Sequence, residues 1–87
     1  MATENIELKL NKPESKVKAM SDKELLQEAQ EVISARIEQF HPANAWQASE
    51  DDWQKFIKAE GKYREELSNR GILLHEDGSI KLDNRGN

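Results

Sequence analysis

The stretch Ser21-Asp22-Lys23-Glu24 most constrains what this chain can fold into, because it opens a helix with an S-x-x-E capping box. In such a box each side chain satisfies the other residue's free backbone N–H. Met20 before the cap and Leu25 inside it are spaced to pack as a hydrophobic staple. Leu25, Leu26, Ala29, Val32, Ile33, Ile37 and Phe40 then recur at steps of three and four, forming one apolar stripe. Pro42 disfavours helical geometry at His41, so the helix is expected to stop near Phe40.

A second helix is marked as sharply. Ser49 suits the N-cap, and Glu50, Asp51 and Asp52 place three carboxylates at the positive end of the helix dipole. Trp53, Phe56, Ile57, Tyr63 and Leu67 make its stripe, with Glu60 and Gly61 as weak points inside it. Gly71 fits the left-handed position past the C-cap, from which Ile72 can fold back onto Leu67.

Beyond Gly71, Asp77-Gly78 sits between two apolar-bearing runs, Ile72–Glu76 and Ser79–Leu82, a hairpin signal of the type I′ kind. A two-residue loop puts His75 opposite Ile80 and Leu73 opposite Leu82. One face then carries Leu73, His75, Ile80 and Leu82, and the other Ile72, Leu74 and Lys81. An isolated hairpin is marginal in water, so this one must pack on the helices, pair with another strand or meet a partner. Ile6, Leu8 and Leu10 alternate with Glu7 and Lys9, which allows a short strand; the competing reading makes residues 1–19 a tail. Asn11 to Lys16 reads as a solvated linker.

The expected fold class is therefore α+β, mainly α: an antiparallel helical hairpin followed by a C-terminal β-hairpin, with or without an added N-terminal strand. Residues 1–19 form the tail or strand with its linker, 20–83 the domain, and 84–87 a polar tail. Apolar residues are 36% and charged residues 34% of the chain, which leaves a small core for a domain of this size.

Several functions are disfavoured. There is no cysteine, so disulfides and Cys-based zinc sites are excluded. His41 and His75 lie far apart without metal-ligand spacing, and phosphate-loop, nucleophile-elbow and H-E-x-x-H patterns do not occur. No enzyme activity, cofactor or metal is expected. The longest apolar run, Ile72-Leu73-Leu74, is far too short for a membrane span, and no secretory signal pattern opens the sequence, so a cytoplasmic location is expected.

Two functional readings remain. The first is a small acidic protein-binding module (a regulator, inhibitor or assembly factor) that engages a protein partner or a second copy through a helix face and its aromatic cluster. Phe40, Trp46, Trp53, Phe56 and Tyr63 all fall between positions 40 and 63. Trp46 belongs to no stripe; it either plugs the end of the helical hairpin or serves as a binding hot spot, where tryptophan is enriched. The second is a nucleic-acid-binding accessory protein, because Lys55, Lys58 and Lys62 share a helix face able to meet phosphates. A helix pair ending in Gly71 and a short hairpin, over residues 49–84, resembles part of the small terminase subunits of tailed phages. That resemblance implies a DNA-packaging or regulatory role, although a basic recognition helix is lacking. The net charge of −4 weighs toward the first reading. Trp46, Trp53, Lys55, Lys58 and Lys62 are the candidate partner-binding residues.

Overall fold

A computed structural model describes residues 8–41 and 49–84. Helix α1 spans Glu14–Ala19, α2 spans Asp22–Gln39 and α3 spans Glu50–Asn69. Strands β1, Ile72–Leu74, and β2, Ile80–Asp83, form a two-stranded antiparallel sheet. The α+β, mainly α class is thus what the chain adopts.

Both helix starts are built as the sequence demands. Ser21 Oγ accepts the Glu24 N–H at 3.2 Å, and Ser49 Oγ accepts the Asp52 N–H at 3.1 Å. The box at Ser21 is closed differently from its usual form: Glu24 Oε1 takes the Ser21 hydroxyl proton at 3.1 Å. Phe40 caps the end of α2, and Gly71 follows α3 with φ 90° and its N–H on the Ser68 carbonyl at 3.0 Å.

Helices α2 and α3 run antiparallel, as their cross-contacts require. Moving up α2 from Asp22 through Glu28 and Arg36 to Phe40, the partners on α3 and its cap descend from Arg70 through Tyr63 and Glu60 to Trp53. Between them lie Leu25, Ala29 and Val32 facing Phe56, Ala59, Tyr63 and Leu67, all buried. Ile72 of β1, Val17 of α1 and Leu10 complete that cluster. Two expected stripe members, Ile37 and Ile57, stay 41% and 42% exposed. They lie on the flanks of stripes too wide for one interface.

Over residues 8–19 the chain departs from both readings, while Ile6 and the rest of 1–7 lie outside the described residues. Residues 8–10 are helical rather than extended, and what reads as linker becomes α1 from Glu14. Among the described residues the sheet has only β1 and β2. Pro13 presets the backbone at the start of α1, Glu14 sits in its first turn, and Lys16 and Lys18 sit in its last, which suits the dipole at both ends. Tertiary ties decide the rest. Lys9 pairs with Glu31 at 3.2 Å and Lys12 with Glu28 at 2.8 Å. Arg70 donates to the Lys18 and Met20 carbonyls and to Asp22 and Glu66 carboxylates, locking α1 to both long helices.

The hairpin forms, but not with a type I′ turn. Leu73 faces Leu82 as expected, whereas Leu74 faces Ile80 across a register shift. His75 donates its N–H to Ser79 at 2.8 Å, so it lies opposite Ser79 rather than Ile80. The Gly78 N–H bonds the His75 carbonyl at 3.0 Å, and of the turn residues only Gly78 has positive φ, at 91°. The loop therefore has three residues, a type I turn closed by glycine in the left-handed region. Asp77 has a reason to avoid positive φ. Its Oδ1 accepts the Ser79 hydroxyl at 2.6 Å and the Ser79 N–H at 2.9 Å, an Asx turn that also holds its carboxyl below the usual range.

Docking of the hairpin rests on Glu60, which is buried inside α3. Its carboxylate pairs with Arg36 of α2, and Arg64 stands 3.7 Å away on the other side. Both arginines also reach the hairpin: Arg64 donates to the Leu74 and His75 carbonyls and Arg36 to that of Glu76, each at 3.1 Å. Gln30 adds a bond to the Gly78 carbonyl at 2.9 Å.

Two stability outcomes follow from these contacts. Ser21→Ala removes the cap and lowers unfolding stability by about 1 kcal/mol in a urea melt. Arg36→Met strips Glu60 of its nearer partner in a buried position and costs about 3 kcal/mol by the same measurement, with a value near zero showing that Glu60 is not held by this pair.

Candidate partner-binding surface

Trp53 sits in the first turn of α3, half-buried, with its ring edge-on to Phe40 at 5.0 Å and 80°. Phe40 in turn meets Phe56 at 5.8 Å, and the Arg36 guanidinium lies 5.9 Å from the Trp53 ring centre. Ring edges carry partial positive charge and faces partial negative, so this T-shaped chain and its cation are mutually attractive. The aromatics thereby close one end of the α2–α3 pair and leave part of Trp53 at the surface. Trp46 lies outside the described residues.

One turn beyond Trp53 comes Ile57, and one turn further Gly61, so the three share a face of α3. Gly61 is exposed, and a Cβ built on it meets no atom within 4 Å. Beside this face runs an open groove of ≈ 380 Å³ between α1 and α3. Val17 and Lys18 contribute from α1, and Ile57, Lys58, Gly61 and Lys62 from α3. The groove thus joins three of the features singled out in the sequence, Lys58, Lys62 and the Gly61 weak point.

The lysine row is unequal. Lys55 and Lys58 are exposed, while Lys62 is half-buried and donates from Nζ to the Lys12 carbonyl at 2.9 Å. On α2, Glu28 and Glu31 pair with Lys12 and Lys9 of the N-terminal segment. Glu28 also receives Tyr63, whose hydroxyl lies 3.1 Å from Glu28 Oε1 and from the Lys9 carbonyl oxygen. Burial, and then the charge and hydrogen bond of Glu28, raise the Tyr63 phenol well above its ordinary pKa. That phenol therefore stays neutral and serves as a donor.

Sequence reasoning missed the Glu60 cluster and the groove. A glutamate inside an apolar stripe was the available signal for the first, with Arg64 four residues on as its helical neighbour. The groove has no local signal, because its second wall is α1. Among the described residues, no group of three His, Asp or Glu side chains is placed to hold a metal ion. No protein-family model, curated protein or solved structure matches the chain.

Gly61 and Gly71 are expected to respond in opposite ways. Gly61→Ala adds a methyl in open space on a helix and raises stability by about 1 kcal/mol. Gly71→Val forces a branched residue to φ 90° and costs about 2 kcal/mol. Thermal melts of the two variants beside the native chain read both signs.

Proposed function

We propose that this chain is a small, non-catalytic protein-binding module, a regulator, inhibitor or assembly factor, whose partner meets the outer face of α3 and the aromatic corner at its start. The observation that carries this reading is the exposed Ile57 beside Gly61, in a groove open to an incoming side chain. A mid-helix glycine at a surface position sacrifices helix stability, and it lowers the wall so that a partner can approach the backbone closely. Trp53, half-buried at the start of that helix, is of a residue type that anchors interfaces. A cytoplasmic location belongs to the same proposal. No helix among the described residues is long and apolar enough to cross a membrane.

The nucleic-acid reading retains one specific support, the exposed pair Lys55 and Lys58. Against it stands the use made of other cations. Lys9, Lys12, Lys18, Arg36, Arg64 and Arg70 all sit in ion pairs with carboxylates of the same chain. A phosphate would have to compete with those carboxylates at each position.

Partner capture from the native host separates the readings. Ile57→Glu and Gly61→Leu are both expected to abolish capture while circular dichroism shows the native fold, because both positions lie at the surface outside the buried core. Lys55→Gln with Lys58→Gln leaves capture intact. Retained capture in both groove variants would overturn the proposal. Binding to duplex DNA that weakens steeply with salt, and less steeply in the lysine variant, would establish the alternative.

A further inference from the structure

We propose that Asp77–Gly78 is a site of spontaneous isoaspartate formation, and that docking of the hairpin turn on α2 holds the reaction shut. Aspartate followed by glycine is the dipeptide in which the backbone meets least steric resistance to this chemistry. The Gly78 nitrogen, losing its proton, bonds to Cγ of the protonated Asp77 carboxyl, the Cγ–OH bond breaks, and that oxygen leaves as water, closing a five-membered succinimide. Water then adds to the α-carbonyl carbon of Asp77 and breaks its bond to the Gly78 nitrogen. The main chain now runs through Cβ and Cγ, the former α-carboxyl becomes the side group, and the mass is unchanged.

Each reacting atom is restrained in the fold. The Gly78 N–H is committed to the His75 carbonyl at 3.0 Å. The Asp77 carboxyl is anchored through Oδ1, which accepts the Ser79 hydroxyl at 2.6 Å and the Ser79 N–H at 2.9 Å. Gly78 itself is buried, with Ile33 Cγ2 only 3.4 Å from where a Cβ would stand. Its carbonyl is pinned by Gln30 at 2.9 Å. Ring closure requires the nitrogen to rotate toward Cγ, which breaks the bond to His75 and lifts the turn from α2. The reactive species is therefore a locally opened hairpin, an excursion well short of global unfolding.

The product cannot return to the native turn. An extra backbone carbon between Asp77 and Gly78 displaces the Gly78 N–H from His75 and its carbonyl from Gln30. Ile33, 1% exposed beneath the turn, then loses its cover. The modification thus releases the hairpin tip for as long as the isoaspartyl linkage persists.

The test compares the full chain in native buffer, the same chain unfolded in urea, and the folded variants Ser79→Ala and Gln30→Ala. Isoaspartate at position 77 is read by peptide mapping, as an isobaric peptide of shifted retention that resists cleavage before Asp. The unfolded chain is expected to react fastest and the native chain slowest. Gln30→Ala is expected to accelerate the native reaction about fivefold, the rise in open population that loss of one such hydrogen bond produces. Ser79→Ala frees one carboxylate anchor and moves the rate in the same direction, with circular dichroism confirming an intact fold. A native chain reacting as fast as the unfolded one, an unfolded chain that forms no isoaspartate at 77, or two variants with the native rate would each overturn the proposal.

Discussion

The buried carboxylate of Glu60 is the point through which the α-helical and β parts of the molecule are joined. A charge in that position is costly to bury alone, so it needs cationic partners, and those it has come from both long helices. Arg36 and Arg64 answer it with one nitrogen each and spend other donors on the carbonyls of Leu74, His75 and Glu76. A guanidinium has five N–H donors in a fixed fork, which allows one side chain to neutralise an acid and hold a backbone at once. Lysine, with its compact charge, would not span that geometry. The sheet has two strands and could not stand alone; these carbonyl contacts and the buried Ile72 are what keep it on the helices.

The same economy recurs at the other end of α3. Arg70 caps the helix, pairs with Glu66 and Asp22, and takes the Lys18 and Met20 carbonyls left without helical partners where α1 stops. Tyr63 and Lys12 converge on Glu28 in between. With so few apolar residues, the core is thin, and these half-buried polar junctions fix how its elements sit. Much of the positive charge is spent in them: Lys9, Lys12, Arg36, Arg64 and Arg70 each face a carboxylate of the same chain.

What was legible in the residues is what depends on near neighbours. Ser21, Ser49 and Gly71 act within one turn of themselves, so their boundaries hold to the residue. The type I′ turn at Asp77-Gly78 fails because Ser79, two residues on, gives the Asp77 carboxylate a better local partner than positive φ allows. Residues 8–19 resemble strand, linker or tail because alternation of Leu8 and Leu10 mimics a strand; the partners that decide otherwise, Glu28, Glu31, Tyr63 and Arg70, are far along the chain. Of the candidate site, Lys58 and Lys62 do line one groove with Gly61, and Trp53 lies at the end of the same helix face. Their shared wall with α1 was invisible without α1 itself.

Gly61 and Glu60 are adjacent, and each breaks the expected pattern of an amphipathic helix in an opposite sense. Glu60 places a charge where an apolar residue would stabilise more simply, and Gly61 places no side chain where alanine would fit in open space. The first departure is compensated within the chain by Arg36 and Arg64. The second has no compensation among the described residues, since nothing approaches the position a Cβ would occupy. A local sacrifice without an internal return is the pattern seen where a sequence answers to something outside its own fold. Combined with an exposed Ile57 one turn earlier, it is the feature that supports the proposal of a partner at the groove face of α3, while Lys62 of the lysine row is engaged with the Lys12 carbonyl.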